Sequence, residues 1–205
     1  MSESTGGIVD LLVRADALRF GSFTLKDGSA SPFFIDLGRV ARADHLAELG
    51  EHFAAGIARF FPDADTLFGP AYKGIAIATT TAVAMARSGR VVQTFFDRKE
   101  AKAHGEGGTF IGHRPTAASR IVVLDDVTTS GATKEDAFRA IEATFGVRPI
   151  GVLVAVDRTR KRGARSPALE ALNLHALVEL SDVVAYLEAK GASEAAVVKQ
   201  YVESR

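Results

Sequence analysis

Two adjacent carboxylates, Asp125 and Asp126, close an aliphatic run that begins at Ile121, and the chain then continues V-T-T-S-G-A-T. From Thr128 to Thr133 this loop offers hydroxyls and successive backbone N–H groups, and a helical pattern resumes at Lys134. Consecutive peptide N–H groups and a helix N-terminus both favour anions, so the stretch has the parts of a phosphate cradle. A carboxylate beside a phosphate is repulsive unless it serves something adjacent. The vicinal hydroxyls of a sugar or a divalent cation would be such a thing, and a phosphorylated sugar satisfies both halves of the pattern. The nucleoside-triphosphate loop is excluded because the G-x-x-x-x-G-K-[ST] spacing is absent, and no G-x-G-x-x-G dinucleotide fingerprint follows a strand.

Three other apolar runs end in polar chemistry. Thr66-Leu67-Phe68 runs into the turn Gly69-Pro70-Ala71-Tyr72-Lys73-Gly74, ahead of an Ala- and Thr-rich segment from Ile75 to Ala86. A helix there would place its unpaired N–H groups at Tyr72-Lys73-Gly74, although strand–turn–helix units of this kind also occur as plain connections. Val91 to Phe96 is followed by D-R-K-E-A-K-A-H-G-E-G-G, residues 97 to 108, which hold Arg98, Lys99, Lys102 and His104 but no hydrophobic residue larger than Ala. Such a segment has nothing to pack and reads as a mobile loop that is either functional or disordered. The run Pro149 to Asp157 continues as D-R-T-R-K-R-G-A-R, with Arg158 first. A nucleic-acid patch would need interleaved aromatics or net basicity, and the cluster has no aromatic while the chain has no net positive charge. His104 has no second His at ligand spacing and the chain no Cys, and His45, His52, His113 and His175 are scattered.

The elements that position these groups follow from periodicity. Ile8, Leu11, Leu12, Ala15 and Leu18 predict a helix over 8–19, and Phe23 to Leu37 predicts a β-hairpin turning at Asp27-Gly28, with Lys26 beside the turn. A lysine there is by default solvated. Leu46, Leu49, Phe53, Ile57 and Phe60 predict a helix over 44–61 with Asp44 as its cap and Pro62 as its stop. Ala137, Phe138, Ile141 and Phe145 mark the helix after the phosphate-like loop. A strand at Leu174–Leu180, a helix capped by Ser181 and a last helix capped by Ser193 complete the chain. Strands with continuous apolar content alternating with helices predict an α/β fold with a mainly parallel central sheet covered on both faces. Ligands of such sheets bind beyond the C-terminal strand ends, so the ends at Gly69, Asp97, Asp125 and Asp157 should converge.

The bulk composition sets limits. The 205 residues, 47% hydrophobic, suffice for one well-filled domain. Lys+Arg and Asp+Glu are equal at 25 each, so no global field favours nucleic acid or an anionic membrane. Zero Cys removes thiolate nucleophiles and Cys-based zinc sites and suits a reducing cytosol. The polar start M-S-E-S-T-G-G does not read as a signal peptide, and no apolar run reaches the ~20 residues of a membrane span. The expectation is a soluble cytoplasmic protein with no nucleic-acid or membrane partner.

V-V-L-D-D-V-T-T-S-G-A-T resembles the phosphoribosyl pyrophosphate (PRPP) motif of type I phosphoribosyltransferases. F-T-L-K-D-G-S-A-S-P-F-F-I-D at 23–36, F-G-P-A-Y-K-G-I at 68–75, F-D-R-K-E-A-K-A-H-G-E-G-G at 96–108 and V-D-R at 156–158 are similar to segments of the orotate phosphoribosyltransferase family, in that family's order. The resemblance implies Mg²⁺-dependent transfer of a phosphoribosyl group from PRPP to orotate in pyrimidine (UMP) biosynthesis. It implies a homodimer whose 97–108 loop is shared across subunits. It also implies a single domain, 1–205, in which residues 1–43 and C-terminal elements form a hood over the site.

Residue by residue, the resemblance assigns Asp125 and Asp126 to the ribose hydroxyls and to assisting the Mg²⁺ complex, Val127 to Thr133 (Thr128, Thr129, Ser130, Gly131, Ala132) to the 5-phosphate, and Lys26, Tyr72 and Lys73 to PRPP. It gives Arg98, Lys102 and His104 to the neighbouring subunit's pyrophosphate and Lys99 to the home site, with Lys99, Lys102 and His104 joining the aspartates as catalytic groups. Orotate would lie against Phe34 and Ile35, with Lys26, Thr129 and Arg158 at its polar edge. Family members commonly carry Tyr where Phe33 stands and an aromatic where Ile35 stands.

Overall fold

The computed structural model describes residues 3–25, 28–98, 109–128, 131–158 and 167–203, with 3–6 and 168 described by backbone alone. Six strands form one sheet: β3 (Thr66–Gly69), β4 (Gln93–Asp97), β5 (Phe110–Gly112), β6 (Ile121–Thr128), β7 (Gly151–Asp157) and β8 (Leu174–Glu179). Their order is β5-β4-β3-β6-β7-β8, and every pairing is parallel except β4 with β5. The first four residues of β6 and all seven of β7 are buried, which is why their side chains are continuously apolar rather than alternating. A separate antiparallel pair, β1 (Leu18–Thr24) and β2 (Ala30–Ile35), is the hairpin expected from the sequence.

Helices cover both faces. On one side the core gathers residues of α1 (Glu3–Arg14), α2 (Ala43–Phe60), α3 (Lys73–Arg87), α6 (Leu180–Ala189), α7 (Glu194–Glu203) and the hairpin. On the other, α4 (Ala132–Phe145) and the short α5 (Pro167–Ala171) pack on Phe68, Phe95, Val123 and Val152. An aromatic cluster holds the sheet edge there: Phe95 lies 4.8 Å from Phe68, and Phe110 lies 5.1 Å from Phe145. Burying each such ring contributes ~1.5–3 kcal/mol.

Several sequence expectations are corrected. The first helix does not run over 8–19; it ends at Arg14, and Leu18 opens β1 opposite Ile35. Asp16 takes a left-handed φ of 52° and breaks the helix, while Leu18 stays in the core as a strand residue, so its helical spacing was coincidental. Asp44 does not cap α2; Arg42 holds that position in extended backbone, and Asp44 sits in the first turn, ion-paired with Arg42 at 2.7 Å. Glu179 rather than Ser181 precedes α6, its N–H donating to Asp182 Oδ2 at 2.9 Å. The strand β5 and the helix α5 had no counterpart in the sequence reading.

Candidate active site

Because β3, β4, β6 and β7 are parallel, their C-terminal ends lie on one edge of the sheet. Asp97 Oδ1, at the end of β4, accepts a short hydrogen bond from the Ala71 N–H and so ties that end to the turn after β3. The Arg158 N–H, just past β7, donates to the Thr128 carbonyl at 2.9 Å and ties β7 to the end of β6. The convergence expected from topology therefore has specific hydrogen bonds behind it.

Close backbone packing sets the 69–74 turn. The Gly74 N–H donates to the Pro70 carbonyl at 3.0 Å, and a Cβ on Gly69 would stand 2.1 Å from the Gly74 carbonyl oxygen. Gly69→Ala is accordingly expected to lower stability by ~1–3 kcal/mol, the usual cost of overpacking, and thermal melts compared with wild type would check it. With the turn so fixed, Lys73 enters α3 with its Nζ 3.0 Å from Asp126 Oδ2 and 2.9 Å from Asp36 Oδ1. Burial disfavours the ammonium, but the two carboxylates outweigh it and raise the Lys73 pKa. Burial likewise pushes Asp36 up, and the Lys73 hydrogen bond and charge more than reverse it, leaving Asp36 below the usual carboxylate range. Tyr72, beside Lys73, is 73% exposed.

The carboxylate pair is densely bonded. Asp125 Oδ1 accepts from the Asp126 N–H at 2.9 Å, Asp126 Oδ1 from the Val127 N–H at 2.7 Å, and Asp125 Oδ2 meets Lys134 Nζ at 2.7 Å. Burial raises the Asp125 pKa; the Lys134 charge opposes the rise, and the neighbouring Asp126 adds to it. Each carboxylate oxygen retains a lone pair for a hydroxyl donor.

Beyond the pair, Thr128 is buried, and its Oγ1 has no hydrogen-bond partner among the described residues. Gly131 stands at the start of α4 with φ 81°, and a Cβ there would meet Leu169 Cδ2 at 2.2 Å. Ala132 and Thr133 are exposed in the first turn of α4, where N–H groups lack intrahelical acceptors. Thr129 and Ser130 lie outside the described residues, as do Lys26, Lys99, Lys102 and His104. Arg98 is half-buried, with its N–H donating to the Thr109 carbonyl at 2.7 Å.

Arg158 is buried against the hairpin. Its Nη2 donates to Ser31 Oγ at 3.2 Å, and its guanidinium carbon sits 4.9 Å above the Phe33 ring. Phe33 in turn meets Tyr201 of α7 edge-on at 5.2 Å. Ser31, Phe33 and Ile35 share the buried face of β2, whereas Phe34 projects from the opposite face and stacks on Phe23 at 5.6 Å. Phe34 and Ile35 therefore present their side chains in opposite directions, and only the Ile35 face is Arg158's.

No family model matches the chain. An orotate phosphoribosyltransferase of Xanthomonas oryzae pv. oryzae (strain MAFF 311018) is 43% identical to it over 194 residues, covering 91% of this chain and 88% of the relative. The chain belongs to the orotate phosphoribosyltransferase family. The Aliivibrio fischeri (strain MJ11) orotate phosphoribosyltransferase is 40% identical over 94% of this chain and 93% of its own. The crystal structure of the Francisella tularensis orotate phosphoribosyltransferase superposes with a TM-score of 0.79 at 25% identity, covering 100% of this chain and 98% of that one. The type I phosphoribosyltransferase fold and the enzyme class implied by the five motif segments are those of these relatives.

For a phosphoribosyltransferase, the sequence reading left two members of the strand-end cluster, Lys134 and Asp36, without a role. Lys134 was read only as the resumption of a helix, and a lysine in a helix's first turn, where the dipole disfavours cations, was the signal available. Asp36 gave no local signal, because its partner Lys73 is distant in sequence; Asp97 was read as a strand end, and only its bond to the Ala71 N–H was hidden.

Proposed function

We propose that this enzyme transfers the 5-phosphoribosyl group of PRPP to a ring nitrogen of orotate, forming orotidine 5′-monophosphate and pyrophosphate in the synthesis of UMP. The observation that carries the proposal is the juxtaposition, at neighbouring strand ends, of the Asp125-Asp126 pair with its adjoining loop and the buried cation Arg158. The loop from Val127 through Thr133 holds the 5-phosphate, and Asp125 and Asp126 accept hydrogen bonds from the ribose hydroxyls. Lys26, Tyr72 and Lys73 line the PRPP site. Lys73, shared between Asp36 and Asp126, is poised to exchange one carboxylate for a phosphate oxygen.

Orotate is an anion, and Arg158 selects it over neutral uracil. Lys26, Thr129 and the Phe34–Ile35 backbone complete the acceptor pocket. Arg158→Gln is expected to raise KM for orotate about ten- to a hundredfold, the effect of losing a charge-assisted bond of ~1.5–3 kcal/mol, with PRPP affinity preserved. Steady-state kinetics in each substrate separates the two.

Charge builds on the departing pyrophosphate as the ribosyl group acquires oxocarbenium character. Arg98, Lys99, Lys102 and His104 are placed by the family motif to meet that charge, which stabilises the transition state more than the ground state. Closure of their loop would exclude water from the activated sugar. Mg²⁺ bound through the pyrophosphate of PRPP would neutralise part of that charge. The donor set fits this role: among the described residues no group of three or more His, Asp or Glu could cage a metal, and Asp125 and Asp126 are the carboxylates available to assist.

The proposal includes a cytoplasmic homodimer sharing the 97–108 loop, and a single domain in which the hairpin, α1 and α7 form the hood. Zero Cys suits a reducing compartment, and no helix among the described residues is long and apolar enough to cross a membrane. Incubation with PRPP, Mg²⁺ and orotate, uracil, hypoxanthine or adenine in parallel tests the reaction. Pyrophosphate release with orotate alone is expected; release with a purine and none with orotate would overturn the proposal.

A further inference from the structure

Lys134 breaks two rules at once. It is 6% exposed, although lysine is among the residues least often buried, and it occupies the first turn of α4, the helix end that disfavours cations. Breaks of local rules are expected at functional or strained places and are compensated by their surroundings. For Lys134 the surroundings supply that compensation: Nζ lies 2.7 Å from Asp125 Oδ2 and donates to the Val127 carbonyl at 2.7 Å. One ammonium thus joins the first carboxylate of the pair to the backbone that leads into the phosphate loop. At the far end of that loop, the Leu169 side chain packs against Gly131, whose left-handed φ of 81° sets the chain's entry into α4. The loop is therefore pinned at both ends, by a charge at Val127 and by shape at Gly131.

We propose that Lys134 is a positioning residue of the phosphate cradle, an internal ammonium that fixes the loop through Val127 and offsets the Asp125 charge behind the bound phosphate. Without it, a phosphate dianion would enter a loop backed by the uncompensated Asp125 carboxylate, since Lys73 serves only Asp126 and Asp36. In the proposed assignment neither pyrophosphate nor orotate contacts Lys134 or Val127, so the effect falls mainly on the 5-phosphate. The inference rests on the assignment of the 127–133 loop to the 5-phosphate of PRPP.

The test compares wild type with Lys134→Gln, whose amide still reaches for the Val127 carbonyl without charge, and with Lys134→Met. Calorimetry with ribose 5-phosphate, pyrophosphate and orotate as separate probes reads each part of the site. Ribose 5-phosphate affinity is expected to fall about tenfold or more in Lys134→Gln, with the other two ligands changed by less than about twofold. In steady state, KM for PRPP should rise by a larger factor than kcat falls. If Lys134→Met does not fold, Lys134→Gln carries the comparison, with its thermal midpoint recorded alongside. Unchanged ribose 5-phosphate affinity with a lowered midpoint, or an equal loss for all three probes, would overturn the inference and leave Lys134 purely structural. Absence of both ribose 5-phosphate binding and pyrophosphate release in the unaltered enzyme would overturn the functional assignment first, and the inference with it.

Discussion

Asp126→Asn should weaken PRPP binding about ten- to a hundredfold with little change in thermal midpoint, because a charged acceptor of hydrogen bonds is worth ~1.5–3 kcal/mol and each 1.4 kcal/mol is about tenfold. The fold tolerates the change: Lys73 keeps Asp36 at 2.9 Å, so no cation is stranded. Asp125→Asn behaves differently. It would lose the proposed ribose acceptor and also strip the buried Lys134 of its counter-charge, which costs ~3–5 kcal/mol when one member of a buried pair is removed. The two adjacent carboxylates, equivalent in the sequence, therefore separate into one whose loss is read mainly in binding and one whose loss is read in binding and stability together. Calorimetric titration with PRPP, run beside thermal melts, distinguishes them; unchanged PRPP affinity in both variants would make the pair structural.

Lys102→Ala is expected to have the largest effect on turnover. A preorganised donor aimed at developing charge is worth ~10²–10³ in kcat, and the polar 97–108 segment offers no apolar residue larger than Ala through which the change would reach the core. The expected result is a fall of that order in kcat with an unchanged thermal midpoint; a lowered midpoint with normal turnover would refute it. If the segment serves the partner's site, mixing Lys102→Ala with Asp126→Asn protein should recover activity, since a hybrid dimer would contain one site with neither substitution. Failure of the mixture to exceed its components, with subunit exchange verified, would place Lys102 in its own subunit's site.

These effects depend on features that were unequally legible in the sequence. The parallel sheet was legible because aliphatic runs such as Ile121–Leu124 are buried on both faces, and the carboxylates at their ends could only face outward from the strand ends. The start of β1 was not, because Leu18 satisfies a helical spacing and a strand position equally, and the left-handed Asp16 that decides between them leaves no periodic trace. The three-residue strand β5 is too short for a pattern; its place is fixed by Phe110 meeting Phe68, Phe95 and Phe145, which are remote in the chain.

Within the site, composition and motif reached Asp125, Asp126, Lys73 and Arg158, whose types state their chemistry. They did not reach the partners that hold those groups: Asp36 on Lys73, Lys134 on Asp125, and Ser31 and Phe33 under Arg158. The pairings of Lys73 and Arg158 are long-range, that of Lys134 spans the loop, and all appear only when the fold is known. Phe34 and Ile35 show a related limit, since adjacent strand residues point to opposite faces and a shared role for their side chains is sterically divided.

The central claim is group transfer between PRPP and orotate at one cluster of strand ends, and the reverse reaction tests it most directly. Given orotidine 5′-monophosphate, Mg²⁺ and pyrophosphate, the enzyme should release orotate and PRPP in equal amounts, and it should release no orotate when pyrophosphate is omitted. Orotate release without pyrophosphate would make the protein a hydrolase, and an untouched nucleotide in the presence of pyrophosphate would contradict the account altogether.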